Sequence, residues 1–371
     1  QGMTKEEIFG FLKEQYCVGD KKAQIAYEIA CREKALLDQL DCKNGYSLYA
    51  GIPFCPSICS YCSFSSSPIA EWKDQVDRYL DAMIKELKAT AKLMQGKPLD
   101  TVYIGGGTPT TLEADQLDRL LGTIRENFDL ERVLEFTVEA GRPDSITREK
   151  LEVIRKYPVT RISVNPQTMQ QKTLDLVGRK HTVEDVEQIF HLARELGFDN
   201  INMDLIAGLP GEDAADMQDT LEKIEKLHPD SLTVHALAIK RAAKFGQEGR
   251  TMDPGTEITQ MVEAAAASAE RMGLVPYYLY RQKNIAGNFE NVGYAEKDKA
   301  GVYNILIMEE RQTIIACGAG STTKLVLLEK IKTSSGKETN LIRVENVKNI
   351  TEYIDRIDEM IERKKALFEK D

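Results

Sequence analysis

Short apolar runs alternate with segments of helical periodicity over the first two thirds of the chain. Six of these runs, rich in β-branched residues, predict strands. They lie at 46–52, 101–104, 133–139, 161–165, 201–206 and 231–237. Strands that alternate with helices are joined by crossovers and run parallel, so this region is predicted to form an α/β fold. The pattern leaves open a doubly wound sheet or a complete or partial barrel.

Apolar residues that recur every three to four positions predict the helices between and around these strands. The segments with this pattern are 5–15, 22–40, 77–94, 117–128, 183–196, 214–227, 256–272 and 350–361. Thr182 is predicted to cap the helix at 183–196, and Thr110 and Glu113 have the spacing of a capping box. A strand, a glycine turn and a second strand are predicted within 312–328.

The order of these elements predicts three regions. We place N-terminal helices at 1–44, the α/β unit at 45–245, and a smaller unit that packs on it at 246–371. No linker rich in proline or serine separates the regions, so the last boundary is drawn where the sixth strand has ended.

Charge and composition narrow the classes of function. The 371 residues include 49 Lys and Arg against 59 Asp and Glu, which gives a net charge of −10. A chain this acidic is poorly suited to non-specific phosphate contacts, so no nucleic-acid partner is expected. No apolar run reaches the roughly 18 residues that a membrane span needs, and the first residues lack the apolar core of a signal peptide.

Three of the seven cysteines, Cys55, Cys59 and Cys62, lie within eight residues directly after the first strand. An odd number of cysteines with one tight group does not suggest a secreted disulfide framework, so a cytoplasmic protein is expected. Both a structural zinc site and a [4Fe–4S] cluster normally take four protein ligands. Three thiolates would leave one iron of a cluster open to a ligand that is not protein. The alternatives are an incomplete zinc site or buried free thiols.

Polar residues stand in or after the other predicted strands. Glycines at 105–107 follow the second strand and would let the backbone approach a ligand, although for the glycines alone a simple strand-to-helix turn is the favoured interpretation. Glu139, Gln167, Asp204 and His235 lie in or just after the next four strands. Because the carboxyl ends of barrel strands hold the active site, these residues are predicted to meet there. Asp204 alone could instead be a structural acid.

Several segments together carry a resemblance to a known family. They are 49–55, 105–110, 138–144, 161–167 and 202–210. With the three cysteines and the aromatic Tyr61, they resemble the radical S-adenosylmethionine superfamily and, within it, the oxygen-independent coproporphyrinogen III oxidase family. Segments 165–167, 277–282 and 288–294 resemble its HemZ-type branch. Because members of that branch usually carry a further N-terminal region, a truncated chain is expected.

The resemblance implies a fold and a set of cofactors. The fold is a partial (β/α)6 barrel with a helical N-terminal extension and a smaller α+β C-terminal unit that covers the barrel mouth. Cys55, Cys59 and Cys62 would bind three irons of a [4Fe–4S] cluster, and S-adenosylmethionine would chelate the fourth. Residues implied to contact one or two S-adenosylmethionine molecules are Tyr49, Tyr61, Gly106, Gly107, Thr108, Glu139, Gln167, Arg179, Asp204 and Ala238.

The resemblance also implies an activity in haem biosynthesis. An electron from a donor such as flavodoxin or ferredoxin would cleave S-adenosylmethionine to a 5′-deoxyadenosyl radical. This radical would take a β-hydrogen from a propionate of coproporphyrinogen III, and loss of CO₂ and one electron would leave a vinyl group. Two rounds would give protoporphyrinogen IX. Lys240, Arg241 and Arg281 are the candidate cations for the carboxylates of this tetrapyrrole substrate.

Two departures from the best-studied branch keep other functions open. Phe64 occupies the position of a fourth cysteine, and Gly51 stands where that branch has histidine. Phenylalanine is shared with the haem-trafficking HemW relatives, but their His-Asn-x-x-Tyr-Trp signature is not found, which favours the oxidase. The alternatives are a haem-binding chaperone, for which His235 is the candidate iron ligand, and a radical enzyme that acts on haem itself.

Overall fold

The computed structural model describes residues 2–62, 66–238, 256–280, 290–332, 336 and 338–369. The strands of these residues are β1 (Tyr46–Ile52), β2 (Phe54–Cys55), β3 (Ser67–Pro68), β4 (Leu99–Gly106), β5 (Glu135–Gly141), β6 (Arg161–Val164), β7 (Ile201–Ala207), β8 (Ser231–Ala236), β9 (Val275–Tyr280), β10 (Asn291–Ala295), β11 (Thr313–Cys317), β12 (Thr322–Lys332) and β13 (Glu338–Glu345). All six strands predicted for the α/β unit are confirmed.

The helices of the described residues follow the predicted order, with additional short ones. They are α1 (Lys5–Tyr16), α2 (Asp20–Leu37), α3 (Val76–Leu93), α4 (Ala114–Asn127), α5 (Arg148–Arg155), α6 (Gln171–Val177), α7 (Val183–Glu195), α8 (Ala214–Leu227), α9 (Thr256–Arg271), α10 (Val302–Glu309), α11 (Ile350–Asp355) and α12 (Ile357–Phe368). The sequence pattern missed α5, α6 and α10, because seven or eight residues are too few to establish a helical period. None of the described helices is long and apolar enough to cross a membrane.

One large sheet organises the fold. Its strand order is β13-β12-β11-β1-β4-β5-β6-β7-β8-β10-β9. The six strands β1, β4, β5, β6, β7 and β8 are neighbours in chain order, and each pairs in parallel with the next. A doubly wound sheet reverses its strand order at a switch point, whereas a barrel does not. The fold is therefore the α/β partial (β/α)6 barrel implied by the resemblance.

The C-terminal strands extend this sheet at both of its edges. β11 pairs in parallel with β1 at one edge, and β10 pairs antiparallel with β8 at the other. The N-terminal helices pack at the second edge, where Arg32 of α2 donates to the carbonyl oxygen of Pro276 in β9. The helical extension and the C-terminal α+β segments are thus present. The division of the chain at 245/246 stays a prediction.

Helix starts show how local sequence signals work in this fold. Thr182 caps α7 as predicted, because its hydroxyl accepts from the Asp185 amide at 3.1 Å and Asp185 accepts from the Thr182 amide at 2.7 Å. The predicted box of Thr110 and Glu113 is wrong. Glu113 is itself the cap of α4, and the Thr110 hydroxyl donates to the Ala140 carbonyl oxygen at 2.5 Å. Spacing alone does not show which of the two residues leaves the helical conformation.

A buried polar network fastens the C-terminal helices to the barrel. Lys364 of α12 forms an ion pair with Glu86 of α3 at 2.5 Å, and their side chains are 3% and 0% exposed. The other Glu86 oxygen accepts from the Gly318 amide at 2.8 Å and from the Tyr353 hydroxyl at 2.5 Å. Gly318 directly follows β11. The network therefore holds β11 and the last helices against the helix that follows the cysteine loop.

Candidate cofactor-binding cavity

A cavity of about 250 Å³ opens at the carboxyl edge of the six parallel strands. Its lining comes from the cysteine loop and from the end of nearly every strand. The lining residues are Cys55, Ser57, Cys59, Tyr61, Cys62, Ser66, Gly106, Gly107, Thr108, Glu139, Gly141, Arg142, Asn165, Gln167, Arg179, Asp204, Ile206, His235, Ala236, Leu237, Ala238, Tyr280 and Asn291. Because parallel strands end at the same edge of the sheet, residues far apart in sequence meet here.

The three cysteines stand on one wall of this cavity. Cys55 ends β2, and the Cys62 amide donates to the Cys59 carbonyl oxygen at 3.0 Å, which folds the loop into a turn. Cys59 is buried and the other two are half-buried. Among the described residues, no three His, Cys, Asp or Glu side chains are close enough together to hold a single metal ion. A four-iron cluster is wider than one ion, and the three thiols suit its iron sites.

The glycine turn after β4 lies against the cysteine loop. Gly106 has a φ of +107°, which side chains rarely tolerate, and a Cβ on Gly107 would collide with the Phe54 carbonyl oxygen. The Gly107 amide donates to Ile52 and the Thr108 amide to Phe54, each at 2.7 Å. The glycines thus permit the close approach of two backbones, and Gly106 and Gly107 line the cavity.

Glu139 and Asp204 face the cavity from β5 and β7. Glu139 accepts from the Tyr103 hydroxyl and, at 3.3 Å, from the Gly106 amide. Burial raises the pKa of Glu139 to about 7, although the Tyr103 hydrogen bond opposes the shift. Asp204 accepts from the Asn202 side-chain amide at 2.7 Å. The cavity therefore presents one carboxyl group that titrates near neutrality and a second that is fixed by an amide.

Gln167 adopts a left-handed backbone with a φ of +70°. Its amide donates to the Asp204 carbonyl oxygen and its carbonyl oxygen accepts from the Ile206 amide, both at 2.9 Å. A non-glycine residue in this region costs about 1–3 kcal/mol and persists only when its surroundings hold it there. The two backbone bonds to β7 do so, and they place Gln167 in the lining.

Arg179 closes the wall behind Tyr61. It is 4% exposed and donates to the Tyr61 hydroxyl at 3.0 Å and to the Asn165 carbonyl oxygen at 2.5 Å. The Arg179 Nε, the Asn165 Oδ1 and the Asn291 Nδ2 are buried atoms without a hydrogen-bond partner. Buried polar atoms are rarely left without partners, and these three belong to residues that line the cavity. The cavity therefore suits a polar ligand.

The structure brings twelve of the predicted site residues together in this lining. They are Cys55, Cys59, Cys62, Tyr61, Gly106, Gly107, Thr108, Glu139, Gln167, Arg179, Asp204 and Ala238. Tyr49 is not among them. Its ring is stacked with Tyr103 at 6.2 Å and Tyr303 at 6.3 Å, and it lines a neighbouring cavity of about 300 Å³. Lys240, Arg241 and Arg281 lie outside the described residues.

Other lining residues were not predicted as cofactor contacts. Arg142 follows β5 three residues after Glu139, so its position at a strand end was a usable signal. Tyr280 and Asn291 come from β9 and β10, which reach this edge because they pair antiparallel beside β8. By contrast, His235 was predicted to meet the other polar residues at this edge, and it does line the cavity. Its Nε2 lies 4.0 Å from an Asp204 oxygen, and its Nδ1 lies 3.5 Å from the Tyr280 hydroxyl.

Comparison with known proteins agrees with this geometry. Residues 49–224 match the Radical SAM superfamily. The chain is 42% identical over its whole length to the oxygen-independent coproporphyrinogen-III oxidase-like protein HemZ of Bacillus subtilis, of which it covers 74%. It is 34% identical to the heme chaperone HemW of the same organism, with 68% of this chain and 65% of that protein covered. The fold matches Escherichia coli coproporphyrinogen III oxidase (HemN) with a TM-score of 0.67 and 23% identity, over 88% of this chain and 73% of that one.

The partial barrel and its three-cysteine cavity are those of a radical SAM protein. The chain belongs to this superfamily and, within it, to the family of oxygen-independent coproporphyrinogen-III oxidase-like proteins. Its cofactors are accordingly a [4Fe–4S] cluster and S-adenosylmethionine. The thiols, the glycine cradle and the unpartnered polar atoms fit both groups.

Proposed function

We propose that the protein converts propionate side chains of coproporphyrinogen III to vinyl groups by oxygen-independent oxidative decarboxylation. The observation that carries this proposal is the 42% identity to an oxidase-like relative along the whole chain. The match to the heme chaperone is lower in identity and covers 68% of this chain. The cavity supports the oxidase proposal, because it combines three thiols with a buried polar wall that suits a radical-generating cofactor.

In this proposal Cys55, Cys59 and Cys62 hold the cluster. Gly106, Gly107, Thr108 and Glu139, beside the cysteines, hold the methionyl part of S-adenosylmethionine. Five further lining residues hold the adenosine part: Tyr61, Gln167, Arg179, Asp204 and Ala238. When both cofactors are bound, they supply a 5′-deoxyadenosyl radical able to take hydrogen from an unactivated carbon.

The chain's own residues orient the cofactor and exclude water. Above pH 7 the Glu139 carboxylate can accept from an ammonium group, because its pKa is about 7. Arg179 fixes the Tyr61 hydroxyl and thereby the chain next to Cys62. Burial of these polar groups strengthens their interactions with a ligand and keeps competing hydrogen donors away.

The tetrapyrrole carboxylates require cations at the barrel mouth. We assign this role to Lys240, Arg241 and Arg281, which follow β8 and β9 in the sequence, and we assign reduction of the cluster to a flavodoxin or ferredoxin. A buried carboxylate that loses its partner costs about 3–5 kcal/mol, so Arg241→Ala or Arg281→Ala should lower turnover at least tenfold. Cleavage of S-adenosylmethionine without substrate should persist in both variants.

His235 favours one rival function, that of a haem carrier. Burial lowers the pKa of its ring, although Asp204 opposes this shift, so the imidazole is neutral at pH 7 and able to ligate iron. A carrier would bind haem in a one-to-one complex that His235→Ala abolishes. An oxidase would still decarboxylate coproporphyrinogen when haem is absent.

The deciding experiment is an anaerobic incubation with coproporphyrinogen III, S-adenosylmethionine, a small amount of dithionite to reduce the cluster, and a one-electron acceptor that takes the electron released with each CO₂. Mass spectrometry and porphyrin fluorescence should show the loss of two CO₂ per tetrapyrrole, with one 5′-deoxyadenosine formed for each CO₂. A parallel haem titration of the wild type and of His235→Ala tests the carrier. Tight haem binding without any decarboxylation would refute the oxidase proposal.

The assignment of the cysteines has its own test. Reconstituted protein should hold about four irons, and Cys55→Ala, Cys59→Ala and Cys62→Ala should each lose the cluster. Cys42→Ala is the matched control, because Cys42 is half-buried but lies outside the cavity lining. A full cluster in any one of the three variants would contradict the assignment.

A further inference from the structure

Arg142 occupies an unusual position beside the cysteine loop. It is 4% exposed and lies directly after β5, in the lining of the cofactor cavity. Its Nη1 donates to the Ser57 carbonyl oxygen at 2.9 Å, to the Ser57 hydroxyl at 2.8 Å and to the Cys59 Sγ at 3.8 Å. One side of a buried guanidinium therefore faces the loop that carries the proposed iron ligands.

Asp144 anchors the other side of the same guanidinium. Nε and Nη2 donate to its two carboxylate oxygens at 2.9 and 2.6 Å, a bidentate pair that fixes the plane of the group. Burial alone would raise the pKa of Asp144, but the neighbouring His181 and Arg142 lower it well below its usual range, so the carboxyl is ionised. The pair is thus a fixed dipole whose positive end points at Cys59.

We propose that Arg142 is a positioning residue that holds the cysteine loop through Ser57 and raises the reduction potential of the cluster through its N–H group at Cys59. Reduction adds one negative charge to the cluster, and a positive group in a buried site stabilises that charge. Hydrogen bonds to cluster sulfurs and nearby charge are established determinants of such potentials. The Thr108 hydroxyl donates to the Cys55 Sγ at 3.5 Å, and this hydrogen bond to a second thiolate also raises the reduction potential.

This inference rests on the proposed cysteine assignment and concerns a residue outside it. Arg179, the other buried arginine of the lining, donates instead to Tyr61 and Asn165. Of the two arginines in the described lining, Arg142 is the one that donates a hydrogen bond to a cysteine sulfur. Its expected effect is on the electron-accepting step and not on the recognition of a substrate.

The test is a redox titration of the reconstituted cluster, followed by electron paramagnetic resonance, without S-adenosylmethionine. Arg142→Met combined with Asp144→Asn removes both charges together, so no unpaired charge is left buried. We expect four irons and an equilibrium constant for one-electron reduction at least tenfold lower, which is about 59 mV in potential. Asp144→Asn alone should shift the potential in the opposite direction, because it leaves the positive charge unbalanced.

Arg148→Gln is the matched control, since it removes the same charge from a half-exposed arginine that pairs with Glu195. The reduction potential of the cluster in this variant should equal that in the wild type. An unchanged potential in the double variant with a full cluster would overturn the inference.

If the double variant holds no iron, Asp144→Asn decides, because it leaves Arg142 and its N–H group at Cys59 in place and removes only the balancing negative charge. A raised potential there supports the inference, and a wild-type potential refutes it. Four irons in Cys59→Ala would instead overturn the cysteine assignment, and this inference with it.

Discussion

The buried pair of Glu86 and Lys364 allows a sharp test of what holds the C-terminal helices to the barrel. Lys364→Met removes the cation and leaves the Glu86 carboxylate in a site with no exposed surface. The Lys364 nitrogen also lies 3.7 Å from the Cys317 sulfur. Burial raises the pKa of this thiol to about 11, so the thiol is neutral at pH 7. The positive charge of Lys364 is therefore balanced by Glu86.

The loss of stability expected for Lys364→Met depends on the contacts that Glu86 keeps. Loss of one partner of a buried ion pair costs about 3–5 kcal/mol. Glu86 keeps hydrogen bonds from the Gly318 amide, the Tyr353 hydroxyl and the Asn346 side-chain amide, which favours the lower end of that range. For a chain of this length, about 3 kcal/mol corresponds to a fall of roughly 4 °C in melting temperature, because the entropy of unfolding grows by about 2.1 cal/mol/K per residue.

Differential scanning fluorimetry of a short variant series measures this effect. The neighbouring Lys365 is the matched control, because its pair with Glu362 is exposed and worth at most about 1 kcal/mol. Glu86→Gln combined with Lys364→Met removes both charges and should recover most of the lost stability. Equal falls for Lys364→Met and Lys365→Met, or no recovery in the double variant, would refute the unpaired-charge explanation.

Three further predictions concern the cofactor cavity. The affinity for S-adenosylmethionine should fall about tenfold from pH 8 to pH 6 in equilibrium titrations, because Glu139, with a pKa of about 7, loses its charge over that interval. In Glu139→Gln the affinity should not change with pH over the same interval. Asp204→Asn should keep the fold and the cluster but weaken binding ten- to a hundredfold, since a charge-assisted hydrogen bond is worth about 1.5–3 kcal/mol; unfolding with unchanged affinity would show a structural acid. Gln167→Gly should leave the melting temperature equal or higher, because it relieves the left-handed strain, while calorimetry shows weaker binding; unchanged affinity would remove Gln167 from the site.

Much of the barrel and of its site was predictable because the signals are local. The period of apolar residues predicts the strands, and β1 and α8 have the bounds expected from the sequence. The cysteine spacing and the residues at strand ends also lie within short segments. Since parallel strands end at one edge, these local signals place Glu139, Gln167 and Asp204 in a common cavity.

The limits of local signals show at Thr110 and Tyr49. Thr110 has capping-box spacing with Glu113, but its hydroxyl binds the Ala140 carbonyl oxygen of a neighbouring strand. Tyr49 lies in a motif typical of the family, and the structure stacks its ring against Tyr103 and Tyr303, outside the lining of the cofactor cavity. In each case a partner from another strand or helix determined where the side chain lies.

The sequence by itself determined the α/β class, the positions of the six strands along the chain and the cysteine wall of the cavity, because periodicity and spacing act within a few residues; the order of the strands in the sheet came from the structure. Only the tertiary structure decided which distant groups meet. Lys364 pairs with Glu86 across 278 positions, and Arg142 reaches Cys59 across 83. Asn291 enters the cavity because β10 pairs antiparallel beside β8. Such contacts depend on the packing of whole elements, and no local pattern of apolar and polar residues contains that information.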